Sequence, residues 1–238
     1  MHEAHITEKK AIENYTGNSA WPVDDLWHEM TFRSIFSFVT TTLKQKCNRD
    51  SIILNAGSGG TEYGDYPNMI HMDIVPTNII QLPHHIVGSV TQIPLPDQSV
   101  DAVICVGSVI NYTDAQRCLS EFSRILKQNG ILILEFERSN SAEFWFTRNY
   151  NRLVFLQKYH YNGQEHLLWM YRERDIIRKL KLYGLRIIKK KRFHSVSTLL
   201  NRLGMCEKHA AKWMNADKLL RWCSYCIAHN CILLSQKS

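Results

Sequence analysis

The stretch from Ser51 to Asp73, SIILNAGSGGTEYGDYPNMIHMD, constrains the rest of the chain more than any other. Ser51, Ile52, Ile53 and Leu54 form an apolar run without polar alternation, as expected of a parallel strand covered on both faces. The run leads into Gly57, Gly59 and Gly60, where the missing Cβ opens dihedrals closed to other residues and lets a ligand approach main-chain N–H groups. A second apolar run, Met69 to Met72, ends on the carboxylate of Asp73. In open α/β sheets ligands sit beyond the carboxyl ends of the strands, and an acid after the second strand accepts hydrogen bonds from ribose hydroxyls. The unit reads as a nucleoside-binding crevice, with a plain turn as the alternative that this stretch alone leaves open.

The flanking segments extend the pattern. Residues 1–20 are polar and unpatterned, which suggests an arm or cap whose Tyr15 and Trp21 either close over a ligand or pack on the surface. From Asp24 or Asp25 apolar residues recur at helical spacing through Leu26, Trp27, Met30, Ile35, Phe38, Val39 and Leu43, and Lys44 and Lys46 complement the dipole at the end. After Asp73 a proline-containing connection reaches a short strand at Ile86 and Val87, followed by Gly88, Ser89 and Val90. Val100 to Val106 is a further buried strand. Thr113 and Gln116 match a capping box, the helix behind it stops at Gly130, and Ile131 to Phe136 returns as a strand. Another helix and strand run from Arg172 to Tyr183 and from Leu185 to Phe193; Ser195 to Ala228 reads as mostly helical, and Cys231 to Ser235 as a last strand that inserts antiparallel. This order predicts a doubly wound α/β fold: a mostly parallel, seven-stranded, Rossmann-like sheet with an antiparallel last strand and a helical cap. Between Phe144 and Tyr171 aromatic residues crowd together, and either a lid over an apolar or aromatic substrate or helices packed on the sheet accounts for them.

At 238 residues, one core with additions is expected rather than two domains. Residues 1–50 read as arm and helix, part of the cap; residues 51–238 read as the ligand-binding domain, with aromatic or helical insertions near 140–171 and 195–228. No segment approaches the apolar length of a membrane helix and the N-terminus lacks a signal-peptide core, so cytoplasmic residence is expected, with the seven cysteines reduced. Cys223, Cys226, His229 and Cys231 offer soft ligands, but as neighbours on one helix and one strand they fit a core better than a metal site, and no metal is expected. The net charge of +7 concentrates between Arg172 and Arg192, where a lysine-protected sheet edge is the favoured reading over a polyanion site.

Two later passages, QIPLPDQSVDAVICV and EFSRILKQNGILIL, give the pattern a family likeness. In this order behind a glycine turn and an acid, they resemble the class I S-adenosylmethionine-dependent methyltransferases, in particular the small-molecule group called type 11. The likeness runs from Ser51 to Glu137 and returns weakly from Arg172 to Phe193. It implies S-adenosylmethionine as cofactor, with S-adenosylhomocysteine as product. It implies Gly57, Ser58 and Gly59 along the methionine and ribose, Asp73 on the ribose hydroxyls, Ile74 beside the adenine, Ser89 and Val90 at the adenine edge, and Val106 and Gly107 beneath the sulfonium. Asn55, which stands where an acid is usual, is counted with the cofactor-binding residues; Thr61 stands where a third glycine often lies, and Ser89 where the family often has an acid. The short interval from Gly57 to Asp73 leaves little room for a first helix.

Methyl transfer needs proximity, orientation and a dry site more than a strong base. Asn111 and Tyr112, with Tyr15 from the arm, are the substrate-facing candidates, and no catalytic base is assigned. The expected partner is a small organic acceptor rather than nucleic acid, with no membrane insertion and no oligomeric state implied. The alternatives are an RNA methyltransferase, a non-catalytic cofactor-binding or scaffold protein, and a nicotinamide oxidoreductase. The last prefers Gly-x-Gly-x-x-Gly, where Glu62 holds the sixth position here.

Overall fold

A computed structural model describes residues 2–17, 21, 25–161 and 163–238. Its centre is a seven-stranded sheet in the order β3-β2-β1-β4-β5-β9-β8. The strands are β1 (Ile53–Ala56), β2 (Met69–Asp73), β3 (His85–Val87), β4 (Val100–Cys105), β5 (Leu126–Glu137), β8 (Leu185–Phe193) and β9 (Asn230–Lys237). All run parallel except β9, which is antiparallel to both β5 and β8. The expected architecture is therefore the observed one, and the last strand fills the gap between β5 and β8.

Continuous apolar strands follow from helices on both faces. Ala102 and Ile104 of β4 face one way, into a core with Ile35, Phe38, Val39 and Leu43 of helix α2 (Leu26–Lys46). Val103 and Cys105 face the other way, against Phe122 of α3 (Ala115–Ile125) and Ile176 and Leu180 of α4 (Glu173–Leu182). The edge strand β8 exposes most of its lysines, as the sheet-edge reading requires.

Several local expectations are corrected. The N-terminal arm is a helix, α1 (His2–Tyr15), whose buried side is Thr7, Ala11 and Asn14. That spacing is helical, but two of the three residues are polar, so a search for apolar periodicity passes over it. The cap of α3 is Asp114, whose carboxylate accepts from the Gln116 and Arg117 amides; Thr113 instead bonds Ile110 and Cys118. A carboxylate is the stronger acceptor for unpaired helix amides. The helix ends at Ile125 rather than Gly130, because residues from Leu126 onward already belong to β5.

The aromatic stretch is neither a helical layer nor a cavity wall. It contains a two-stranded hairpin, β6 (Val154–Tyr161) and β7 (Gln164–Tyr171), preceded by a short 3₁₀ turn, Ala142–Phe144. Alternation within the hairpin turns Phe155, Leu168 and Met170 inward, onto Ala11, Tyr112 and Phe144. The second insertion does contain helices: α5 (Val196–Arg202), α6 (Glu207–Ala211) and α7 (Ser224–Ile227).

Candidate active site

Beyond the carboxyl ends of β1 to β5 lies a cavity of about 1240 Å³ of empty space, open solvent at its mouth included. One half lies over β1, β2 and β3. There the chain leaves β1 through Gly57 (φ +73°), Gly59 (φ +53°) and Gly60 (φ +79°), a left-handed series that side chains resist. A Cβ on Gly57 would stand 2.3 Å from a Val109 methyl. The Gly57 and Ser58 amides donate to Met72 O, which ties the turn to β2. Asp73 is buried; its Oδ2 accepts from the Gly59 amide at 2.7 Å and its Oδ1 from Val75 at 2.9 Å. Each carboxylate oxygen keeps further lone-pair capacity for a ligand hydroxyl. Residues 57–68 form no helix, in keeping with the short interval in the sequence.

Of the residues assigned to the cofactor, Gly57, Ser58, Gly59, Asp73, Ile74, Ser89, Val90, Val106 and Gly107 all line this cavity. Asn55 does not. It is buried beneath the turn, where its Nδ2 donates to Ser58 Oγ at 3.3 Å and to Thr61 O at 2.8 Å. Its side chain holds the glycine turn in shape instead of meeting a ligand. The Ser89 hydroxyl donates to Glu8 Oε1 of α1 at 2.9 Å, so the N-terminal helix brings a carboxylate to the edge where the strand itself lacks one.

The other half lies over β4, β5 and β9. Tyr112 and Tyr15 meet there, their hydroxyls 3.0 Å apart and their rings edge to face. Burial raises the Tyr15 hydroxyl pKa against the lowering effect of its bond to Tyr112. Helix α1 is held in place by Thr7 Oγ1 donating to Tyr112 O at 2.6 Å and by Asn14 Nδ2 donating to Glu165 O of β7 at 2.8 Å. Asn111 is a correction: wholly buried, it donates to Glu137 O and Trp169 O and accepts from the Glu137 amide. With its donors and acceptor engaged by main chain, it secures the hairpin to β5 and does not line the cavity.

Sequence reasoning missed the polar group at the end of β5. Ser108 Oγ donates to Glu137 Oε1 at 3.0 Å, and Glu137 Oε2 lies 3.2 Å from His229 Nε2. His229 Nδ1 lies 3.0 Å from Glu143 Oε2. Burial alone would lower the His229 pKa, but the two carboxylates outweigh it and carry it to about 10, so the ring is an imidazolium at neutral pH. Burial would raise Glu137, and the bond to His229 brings it below its ordinary value. Trp27 stacks on His194 at 4.0 Å between ring centroids and meets the His229 ring edge-on. The Glu-x-Glu at 135–137 and the His-Asn at 229–230 were visible as polar residues in apolar strands. Only the antiparallel register, which pairs Glu137 with Asn230, joins them.

Among the described residues, the cavity lining contains three carboxylates, Glu8, Asp73 and Glu137, and neither lysine nor arginine, in a chain of net charge +7. An electron-rich pocket beside a glycine turn suits a ligand that is a nucleoside with a sulfonium and an ammonium. Residues 57–134 match the model of a family described as a methyltransferase domain. Residues 57–134 carry that methyltransferase domain, in a fold shared with S-adenosylmethionine-dependent methyltransferases.

S-adenosylmethionine is the cofactor, and it supplies an electrophilic methyl group on sulfur. Solved structures with this fold include a Burkholderia thailandensis 1,6-didemethyltoxoflavin-N1-methyltransferase with bound 1,6-didemethyltoxoflavin and S-adenosylhomocysteine. It is 12% identical, with a TM-score of 0.60 over 100% of this chain and 90% of that one. A Listeria monocytogenes protein described as a putative S-adenosylmethionine-dependent methyltransferase is 12% identical, with a TM-score of 0.57 over 83% and 97% of the two chains. The [4+2]-cyclase SpnF shares the fold as well, at 13% identity and a TM-score of 0.55 over 100% and 94%. Among curated protein sequences no relative matches. No helix among the described residues is long and apolar enough to cross a membrane.

The remaining sequence candidates are placed as follows. Cys231 is buried in β9, Cys226 is exposed, and His229 is taken by its two carboxylates. Lys190 and Arg192 of the basic strand turn to Glu173, and Lys191 donates to Ser34.

Proposed function

We propose that this methyltransferase acts on an oxygen, nitrogen or carbon of a small organic acceptor. The observation that supports it is the division of one cavity into two halves. Glycine turn, Asp73 and Ser89 line the half over β1 to β3, while Trp27, Tyr112, Glu137 and His229 line the half over β4, β5 and β9. Gly107, at the boundary, has Trp21 close above it; a Cβ there would stand 3.3 Å from that ring. With the nucleoside in the first half, the reacting methyl points into an aromatic-walled space of small-molecule scale. Bound S-adenosylmethionine would supply the methyl group in line to an electron pair on the acceptor atom, the carbon–sulfur pair leaving with sulfur, and any displaced proton would pass to solvent or to a carboxylate. The residues of the second half hold and orient the acceptor and exclude water.

The small heteroaromatic ligand bound to the Burkholderia structure agrees with an acceptor of this size. A lining without lysine or arginine speaks against a polyanion such as RNA in the site. The free cysteines accord with a reducing compartment, the cytoplasm. Calorimetric titration with S-adenosylhomocysteine and with NAD, followed by a crystal structure of the complex, tests the reading. Binding of the first alone, with its sulfur beside Gly107 and facing Glu137, is the expected result. NAD binding, or a sulfur turned away from that half, would refute it.

A further inference from the structure

The acceptor half of the cavity has a chemical bias beyond its size, and the following rests on the methyltransferase reading above. Two of its hydrogen-bonding groups, Glu137 and Asn230 Oδ1, are acceptors open to a ligand donor. Glu137 faces it as a carboxylate whose imidazolium partner, His229, is shared with a second, part-exposed carboxylate, Glu143, so this trio has one negative charge in excess. A separate observation points the same way. Asn230 is 3% exposed and lines the cavity; its Nδ2 is committed to Glu135 Oε1 at 2.8 Å, and its Oδ1 has no hydrogen-bond partner. A buried carbonyl oxygen without a partner is destabilising, and a ligand donor would relieve it. The walls are rings: Trp27, fixed by stacking on His194, and the edge-to-face pair Tyr15 and Tyr112. Such rings attract flat apolar bodies and favour cations over anions at their faces.

We propose that this half selects a neutral or cationic aromatic or heteroaromatic acceptor that carries a hydrogen-bond donor, an N–H or O–H, with Glu137 and Asn230 Oδ1 as the groups that receive it. Carboxylate- and phosphate-bearing acceptors are disfavoured, because they would lie against Glu137 with no lysine or arginine in the lining, and the His229 imidazolium already faces Glu137 and Glu143.

The test uses tryptamine and indole-3-acetate, one ring system with opposite charges, titrated into the full chain saturated with S-adenosylhomocysteine. Saturation first fills the cofactor's own ammonium site, so the probes report on the remaining space. Tryptamine is expected to bind more tightly by on the order of tenfold or more, the scale of one charge-assisted hydrogen bond. Glu137→Gln is expected to erase that preference, while Asn230→Leu weakens tryptamine and keeps the charge preference. S-adenosylhomocysteine affinity serves as the folding control; where Glu137→Gln loses it, Asn230→Leu carries the comparison. Equal or tighter binding of indole-3-acetate, no binding of either probe, or an unchanged preference in Glu137→Gln would overturn the inference. So would a complex in which the ammonium of S-adenosylhomocysteine itself occupies Glu137. If S-adenosylhomocysteine does not bind at all, the methyltransferase reading fails; if it binds and the probes show no preference, this inference alone fails.

Discussion

Replacing Glu173 by glutamine removes the one anion among three cations behind the acceptor half. Glu173 is fully buried and accepts from Arg138 at 2.6 Å, Arg192 at 2.7 Å and Lys190 at 3.0 Å. Burial alone would raise its carboxyl, but the Arg192 bond and the charges of Arg138 and Arg192 carry it from an ordinary 4.5 down to about 2. At about 1.4 kcal/mol per pH unit, that difference corresponds to roughly 3 kcal/mol of folding free energy at neutral pH. Breaking a buried pair from one side costs about 3–5 kcal/mol, because the other charge is left uncompensated, and here that charge is the wholly buried Arg138. Burial draws the Arg138 pKa down against the pull of Glu173, yet a guanidinium remains protonated. Urea denaturation of wild type and Glu173→Gln across pH measures the effect. The lowered pKa sets the sign: the contribution is complete above pH 4.5 and is lost as pH falls toward 2. The variant should therefore lie about 3 kcal/mol below wild type at pH 7, and the gap should close on acidification. A gap under about 1 kcal/mol, or one independent of pH, would refute the reasoning. The consequence reaches the site, since Arg138 also donates to the carbonyls of Ser224 and Tyr225 in α7 and of Ala228, the residue before His229.

Asp73→Ala should weaken S-adenosylhomocysteine by about ten- to a hundredfold in calorimetry, the scale of hydrogen bonds to a charged acceptor; equal affinity would remove the ribose assignment. Gly57→Ala combines a φ of +73° with a Cβ 2.3 Å from Val109, for a cost of roughly 2–4 kcal/mol in chemical denaturation. Adding Val109→Ala should recover only the packing part, and full recovery would show that the dihedral is unstrained. His229, raised from 6.5 to about 10, contributes stability that is complete below pH 6.5 and lost as pH rises through 10. Denaturation of His229→Gln over that window should lack the alkaline decline, and a decline equal to that of wild type would show that Glu137 and Glu143 do not hold the ring charged.

The sheet and the glycine turn beside Asp73 were legible in the sequence because their signals are local. Unbroken apolar runs report burial on both faces, glycines report a turn that side chains resist, and Asp73 follows β2 directly. Asn55 and Asn111 were misread for the opposite reason: a polar residue next to a cavity looks the same in sequence whether it faces a ligand or main chain. Helix α1 was hidden by its buried face of Thr7, Ala11 and Asn14, and the aromatic stretch did not disclose that its side chains pack within a hairpin that supports α1.

Only the tertiary structure decided the polar cluster at the end of β5. Glu137 and His229 are 92 residues apart, counted along the numbering, and they meet because β9 enters antiparallel beside β5, with Glu137 opposite Asn230. Glu8 reaches Ser89 only through the seating of α1 on β7. A local pattern is enough to shape a backbone turn around a cofactor, whereas a buried charge cluster takes its partners and its protonation from whichever strands pairing brings together.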